Sequence, residues 1–161
     1  MNEIFERKNH RIVARWGGET IWLEPCGANG ARGRTTRNRE IDEATISALL
    51  DTNSPDASWD FNDQAAILTN GRLCAQLRFV SRGMGPALEL RFLDAVTGNL
   101  LLEEEMPHIL WPGTRHCKPQ DGNLWHVEQR FKAQDGEQFF GLGQHQHGKF
   151  NQKGCVIDLA Q

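Results

Sequence analysis

The sequence predicts an all-β fold, an antiparallel β-sandwich. Three observations predict it. Apolar and polar residues alternate with a period of two through most of the patterned segments, turn residues separate those segments at short intervals, and one stretch alone, Ile41 to Leu50, reads as a helix. Strands and helices do not alternate, so a parallel sheet is not called for. Roughly nine short strands result, at the spacing of sandwich folds.

Arg11 to Trp16, the Gly17-Gly18 turn and Thr20 to Leu23 read as strand, turn and strand. Ile21 and Leu23 share one face there, Trp22 and Glu24 the other. Ala31 to Arg37 is a polar strand with Gly33 as its weak point, worth up to about 1 kcal/mol. Gln64 to Leu68 and Arg72 to Val80 flank Asn70-Gly71, a pair suited to the positive φ angles of a tight hairpin. Ala87 to Leu93 and Leu100 to Glu104 form a second hairpin around Asp94 to Asn99. Leu124 to Lys132 sets Trp125, Val127 and Phe131 against His126, Glu128 and Arg130, and Gly154 to Ala160 reads as a last strand. Leu73, Leu77, Phe79, Leu90 and Phe92 are expected to be substantially buried. A terminal strand followed only by Gln161 is expected to belong to a longer polypeptide.

The 161 residues suffice for one domain, and the formal charge of −3 gives no general nucleic-acid footprint. Arg32, Arg34, Arg37 and Arg39 form a local basic stripe followed by Glu40, Asp42 and Glu43. It reads as a solvated strand face rather than a phosphate-binding stripe. Cys26, Cys74, Cys117 and Cys155 include no C-x-x-C pair, and no apolar run reaches signal-peptide or membrane-span length. Four free thiols in a reducing cytoplasm are expected, with neither membrane nor nucleic acid as partner.

Phe139 to Phe150 concentrates the chemistry, and three readings compete there. Gly143, Gly148 and Lys149 have the spacing of a phosphate loop, but Phe150 replaces the hydroxyl residue and no helix is expected to follow. His145 and His147 make half a metal site, with His116, Cys117 and Cys155 as distant candidates. A glycine-hinged loop at Gly141 and Gly143 can present Gln144, His145, Gln146 and His147 to hydroxyl groups. No metal ion and no cofactor is expected. Glu103, Glu104 and Glu105 read as a solvated hairpin edge rather than as paired catalytic acids. Of Trp16, Trp22, Trp59, Trp111 and Trp125, most suit sandwich burial more than sugar stacking.

The last 23 residues, FFGLGQHQHGKFNQKGCVIDLAQ, resemble the motif region of the N-terminal domain of glycoside hydrolase family 31. Residues 21 to 37, IWLEPCGANGARGRTTR, resemble the early strands of that domain. The resemblance implies a β-sandwich like galactose mutarotase, spanning residues 1–161 and incomplete at its C-terminal side. It implies a missing (β/α)₈ barrel that carries both catalytic aspartates in retaining α-glucosidases and α-xylosidases. No residue here then inherits a catalytic role, and the isolated chain is expected to be inactive. Gln144, His145, His147 and Gln161 become the candidate contacts to an α-linked sugar, with the barrel as packing partner. Gly33 departs from the apolar β-former that the family commonly carries between two arginine-type positions. The alternatives are a stand-alone carbohydrate-binding module and a small metal-binding protein using His145 and His147.

Overall fold

The computed structural model describes residues 4–37, 40–42, 54, 56–82, 85–105, 114–141 and 147–156. The chain divides into two compact units, residues 1–131 and 132–161. The first contains every strand found among the described residues. β1 (Phe5–Lys8), β2 (Arg11–Trp16), β3 (Glu19–Cys26) and β4 (Gly30–Arg37) form one antiparallel meander. β5 (Ser58–Asn62), β6 (Ala65–Asn70), β7 (Leu73–Arg82), β8 (Gly85–Asp94) and β9 (Leu100–Glu103) form a second. β10 (Arg115–Gln120) and β11 (Leu124–Gln129) pair as a separate hairpin across a short 3₁₀ turn at Asp121–Asn123. There is no α-helix among the described residues. Residues 43–50 of the predicted helix lie outside them, and Ile41 and Asp42 are not helical.

Alternation decides which face goes inside. Ile12, Ala14, Ile21 and Leu23 of the first meander pack against Ala66, Leu68, Ala75, Leu77, Leu88 and Leu90 of the second. The two sheets are thus the two layers of a sandwich closed on one apolar core. Leu77 and Leu90 are buried as expected. Leu73, Phe79 and Phe92 are half-buried, with Phe79 and Phe92 packed at the core's rim. β1 and β10 carry no clear alternation: their sequences FERK and RHCKPQ are mostly polar, and pairing rather than patterning makes them strands.

Two turns show how sequence sets register. Gly17 and Gly18 link the paired residues Trp16 and Glu19 with φ of +60° and +78°, the type I′ geometry that matches strand twist. At the next expected turn, Asn70 is the last paired residue of β6, opposite Leu73, and the link is Gly71-Arg72. The Asn70 amide instead reaches the first sheet. Its Nδ2 donates to the carbonyls of Gly27 and Gly30, both at 2.8 Å. In return, Asn29 Oδ1 accepts the Arg72 N–H at 2.7 Å. The turn is therefore a clasp between the two layers.

The outer face of the first sheet corrects the reading of the basic stripe. Arg34 and Arg11 flank the Trp22 ring with their guanidinium carbons 4.8 and 4.1 Å from its centroid. Glu24 on the same strand as Trp22 pairs with both. The counter-charge thus comes from the neighbouring strand rather than from the acids that follow in sequence. Glu40 pairs with Arg15, and Arg39 lies outside the described residues.

The second unit has no strand among its described residues. Asn151 Oδ1 accepts the N–H groups of Phe139 and Lys153, each at 3.0 Å, and Gln152 N donates to Phe139 O at 2.7 Å. Gly154 sits in a turn with φ of +74°, and Cys155 and Val156 are not in a strand. Residues 157–160 of the predicted last strand lie outside the described set. All four cysteines are free and half-buried.

Candidate functional site

The loop singled out by its composition belongs to the second unit. Gly141 and Gly148 adopt φ of +95° and +69°, so both act as left-handed hinges. His147 is exposed, and its Nδ1 accepts the Lys149 N–H at 3.1 Å. An accepting Nδ1 places the proton of the neutral ring on Nε2. The rings of Phe140 and Phe150 meet in a tilted arrangement, with centroids 4.7 Å apart. Gln144, His145 and Gln161 lie outside the described residues, as do Gly143 and Gln146. Residues 150–156 form turns and irregular backbone, so no helix of the kind a phosphate loop requires follows Lys149 among the described residues. Among the described residues, no three His, Cys, Asp or Glu side chains form a group that could hold a metal ion.

The first unit holds a site that sequence reading missed. Arg115, at the start of β10, spends all five of its N–H groups inside the protein. Nε and Nη2 grip Glu19 of β3 at 2.7 and 3.2 Å, and Nη2 also donates to Leu88 O at 3.1 Å. Nη1 donates to both carboxylate oxygens of Glu104. Burial disfavours the charged guanidinium, but the two carboxylates outweigh it, and the pKa of Arg115 rises above the ordinary arginine value.

Glu104 corrects the expectation of a solvated acidic edge. It is fully buried and accepts from Leu90 N at 2.7 Å, Thr114 Oγ1 at 3.1 Å and Gln129 Nε2 at 2.9 Å as well as from Arg115. Glu103 is mostly covered too, near Arg78, and only Glu105 faces solvent. The reason is that β9 stops at Glu103. Glu104 then bridges to Phe131 and turns its side chain inward to meet Arg115. Three glutamates in a row carry no sign of which one turns in, and Arg115 gives no local signal at all.

Beside this network lies a pocket of about 310 Å³, walled by Trp16, Pro86, Ala87, Arg37 and His116 over the Glu19–Arg115 pair. The Trp16 indole is fixed from two sides. Its Nε1 donates to Pro86 O at 3.1 Å, and its ring meets Phe79 edge-on at 4.7 Å. It remains 39% exposed. Among the described residues Arg37 donates only to Gly17 O, at 3.4 Å.

No family model matches the chain. An uncharacterized family 31 glucosidase, ORF2, from Pseudescherichia vulneris is 30% identical over 179 residues, covering all of this chain and 32% of that protein. The crystal structure of a GH31 α-xylosidase from a soil metagenome, complexed with xylose, matches with a TM-score of 0.77 and 27% identity. That match covers 98% of this chain and 24% of the xylosidase. The chain therefore spans about a third of the curated relative and about a quarter of the solved one. In sequence and in fold alike, the chain resembles one part of a glycoside hydrolase family 31 protein.

Proposed function

We propose that this chain is the non-catalytic N-terminal β-sandwich portion of a retaining α-glycosidase, an α-glucosidase or α-xylosidase of carbohydrate metabolism. The supporting observation is that two different family 31 proteins match essentially all of this chain while each extends far beyond it. A retaining mechanism needs two carboxyl groups about 5–5.5 Å apart across the scissile bond, one of them free to attack. Glu19 and Glu104 are both held by Arg115, and Glu104 accepts bonds on both oxygens from its own neighbours as well. That commitment favours assigning catalysis to a barrel on the remaining polypeptide. The sandwich then packs on the barrel. The loop with Gln144, His145 and His147, together with Gln161, contacts hydroxyls of an α-linked sugar. Four free thiols suit a reducing cytoplasm as its place of work.

The test is to read the frame downstream of Gln161, express the whole polypeptide and assay 4-nitrophenyl α-glucoside and α-xyloside. Turnover of one of them is expected. His147→Ala should lower kcat/KM by up to about tenfold, the worth of one hydrogen bond to a neutral hydroxyl, with little change in melting temperature. A large drop in melting temperature with kcat/KM intact would reject the ligand role of His147. A whole polypeptide inactive on α-glycosides would reject the assignment itself.

A further inference from the structure

We propose that the pocket beside Trp16 is a binding site for a single pyranose ring. Known ligand pockets span roughly 300–1,000 Å³, and at about 310 Å³ this one has room for a monosaccharide unit. Its chemistry is one-sided in the way a sugar ring is. A pyranose has an apolar face of C–H groups and a rim of hydroxyls. Trp16 lines the pocket, and an indole offers the electron-rich surface that polarised C–H groups favour. Pro86 and Ala87 extend the apolar wall. At the rim, Arg37 has donors to spare, since Gly17 O takes one of its N–H groups at a long 3.4 Å.

Preorganisation strengthens the argument. The indole is held by its bond to Pro86 O and by its T-shaped contact with Phe79, so little rotamer freedom is lost when a ring docks on it. The floor is equally fixed. The guanidinium of Arg115 has no donor left for a ligand, and Glu19 is occupied by Arg115 and by the Thr35 hydroxyl at 2.9 Å. A ligand that needed a second cation would find the floor neutralised. That favours a neutral, hydroxyl-bearing ring over an anion. The choice of a sugar among such rings rests on the α-glycosidase reading, whereas the pocket does not.

The experiment is an NMR titration of this chain with methyl α-D-xylopyranoside, methyl α-D-glucopyranoside and, separately, sodium acetate, following the Trp16 indole N–H resonance. That resonance is assigned by its loss in Trp16→Phe. Saturable shifts with at least one glycoside are expected, with a Kd on the order of 1–10 mM. Arg37→Gln should weaken binding about tenfold or more while leaving the melting temperature unchanged, because Arg37 is exposed and lightly held. No saturable shift up to about 100 mM glycoside, or equal binding by Arg37→Gln, overturns the proposal. Saturation by acetate without response to either glycoside overturns it too, in favour of an anion site on Arg37. Hydrolysis by the longer polypeptide without sugar binding here would sink the pocket and leave the α-glycosidase reading standing. Sugar binding here, with a longer polypeptide that hydrolyses nothing, would do the reverse.

Discussion

Arg115 and Glu104 form a buried ion pair that joins the β10–β11 hairpin to the end of β9, and through Glu19 and Leu88 the same guanidinium reaches both sheets of the sandwich. Removing one partner strands a charge in a dry site. Glu104→Ala or Arg115→Ala should therefore cost about 3–5 kcal/mol, read as a lower urea midpoint. The double variant Glu104→Leu with Arg115→Met should recover a good part of that loss, because the desolvation cost leaves with both charges. A single variant as stable as wild type would show the pair to be dispensable.

Gly71 and Gly33 should respond in opposite directions. A Cβ at Gly71 would sit 2.3 Å from both Ala28 O and Asn29 Oδ1, at a φ of +57° that a side chain tolerates poorly. Gly71→Ala should open the clasp between the layers and cost at least about 1–3 kcal/mol. At Gly33 the added Cβ would meet only Leu90 Cδ2 at 4.0 Å, ordinary contact. Gly33→Ala should stabilise the chain by about 0.5–1 kcal/mol. Thermal melts of the two variants check both signs together.

Asn70 should not tolerate a carboxylate. Its Nδ2 faces two carbonyls at 2.8 Å, and the residue is buried. Asn70→Asp replaces a donor by an acceptor there and should destabilise by more than Asn70→Ala, which merely leaves the two carbonyls without it. Equal melting temperatures for the two variants would contradict this.

Asp94 should contribute to the acid sensitivity of the β8–β9 hairpin. The N–H groups of Thr97 and Val96 bond its carboxylate, with Arg72 adding to them, and hold its pKa below the ordinary value of 3.8. A depressed folded pKa gives stability that is fully present above the unfolded pKa and is lost as pH falls through the folded one. The melting temperature difference between wild type and Asp94→Asn should be constant near neutrality and shrink below about pH 4. A difference that grows on acidification would reverse the assignment.

By itself this chain should not hydrolyse aryl α-glucosides or α-xylosides. Activity that copurifies with it above a mock preparation would contradict the proposed division of labour.

Much of the sandwich was legible along the chain. The alternation of Leu73, Ala75 and Leu77 with Cys74 and Gln76 reads directly as one inward face, since a strand's side chains repeat every two residues whatever lies around them. Gly17-Gly18 likewise announces a tight turn, because positive φ is a property of the residue. Gly141, read as a hinge of the loop, takes a φ of +95° for the same local reason, and its expected partner Gly143 lies outside the described residues.

What tertiary structure decided are the pairings between residues far apart in sequence. Nothing near Arg115 indicates that Glu19, 96 positions earlier, closes on it. Nothing in a run of three glutamates says that the middle one is the buried one. The tight-turn signal at Asn70-Gly71 hid a clasp to a different sheet. Exposed Leu124, Trp125 and Val127 on β11 show the same limit, since alternation sorts faces but does not say what covers them. Local backbone preference and periodicity are carried by each short segment. Burial of a charge depends on which distant partner arrives to neutralise it, and that is settled only when the layers close.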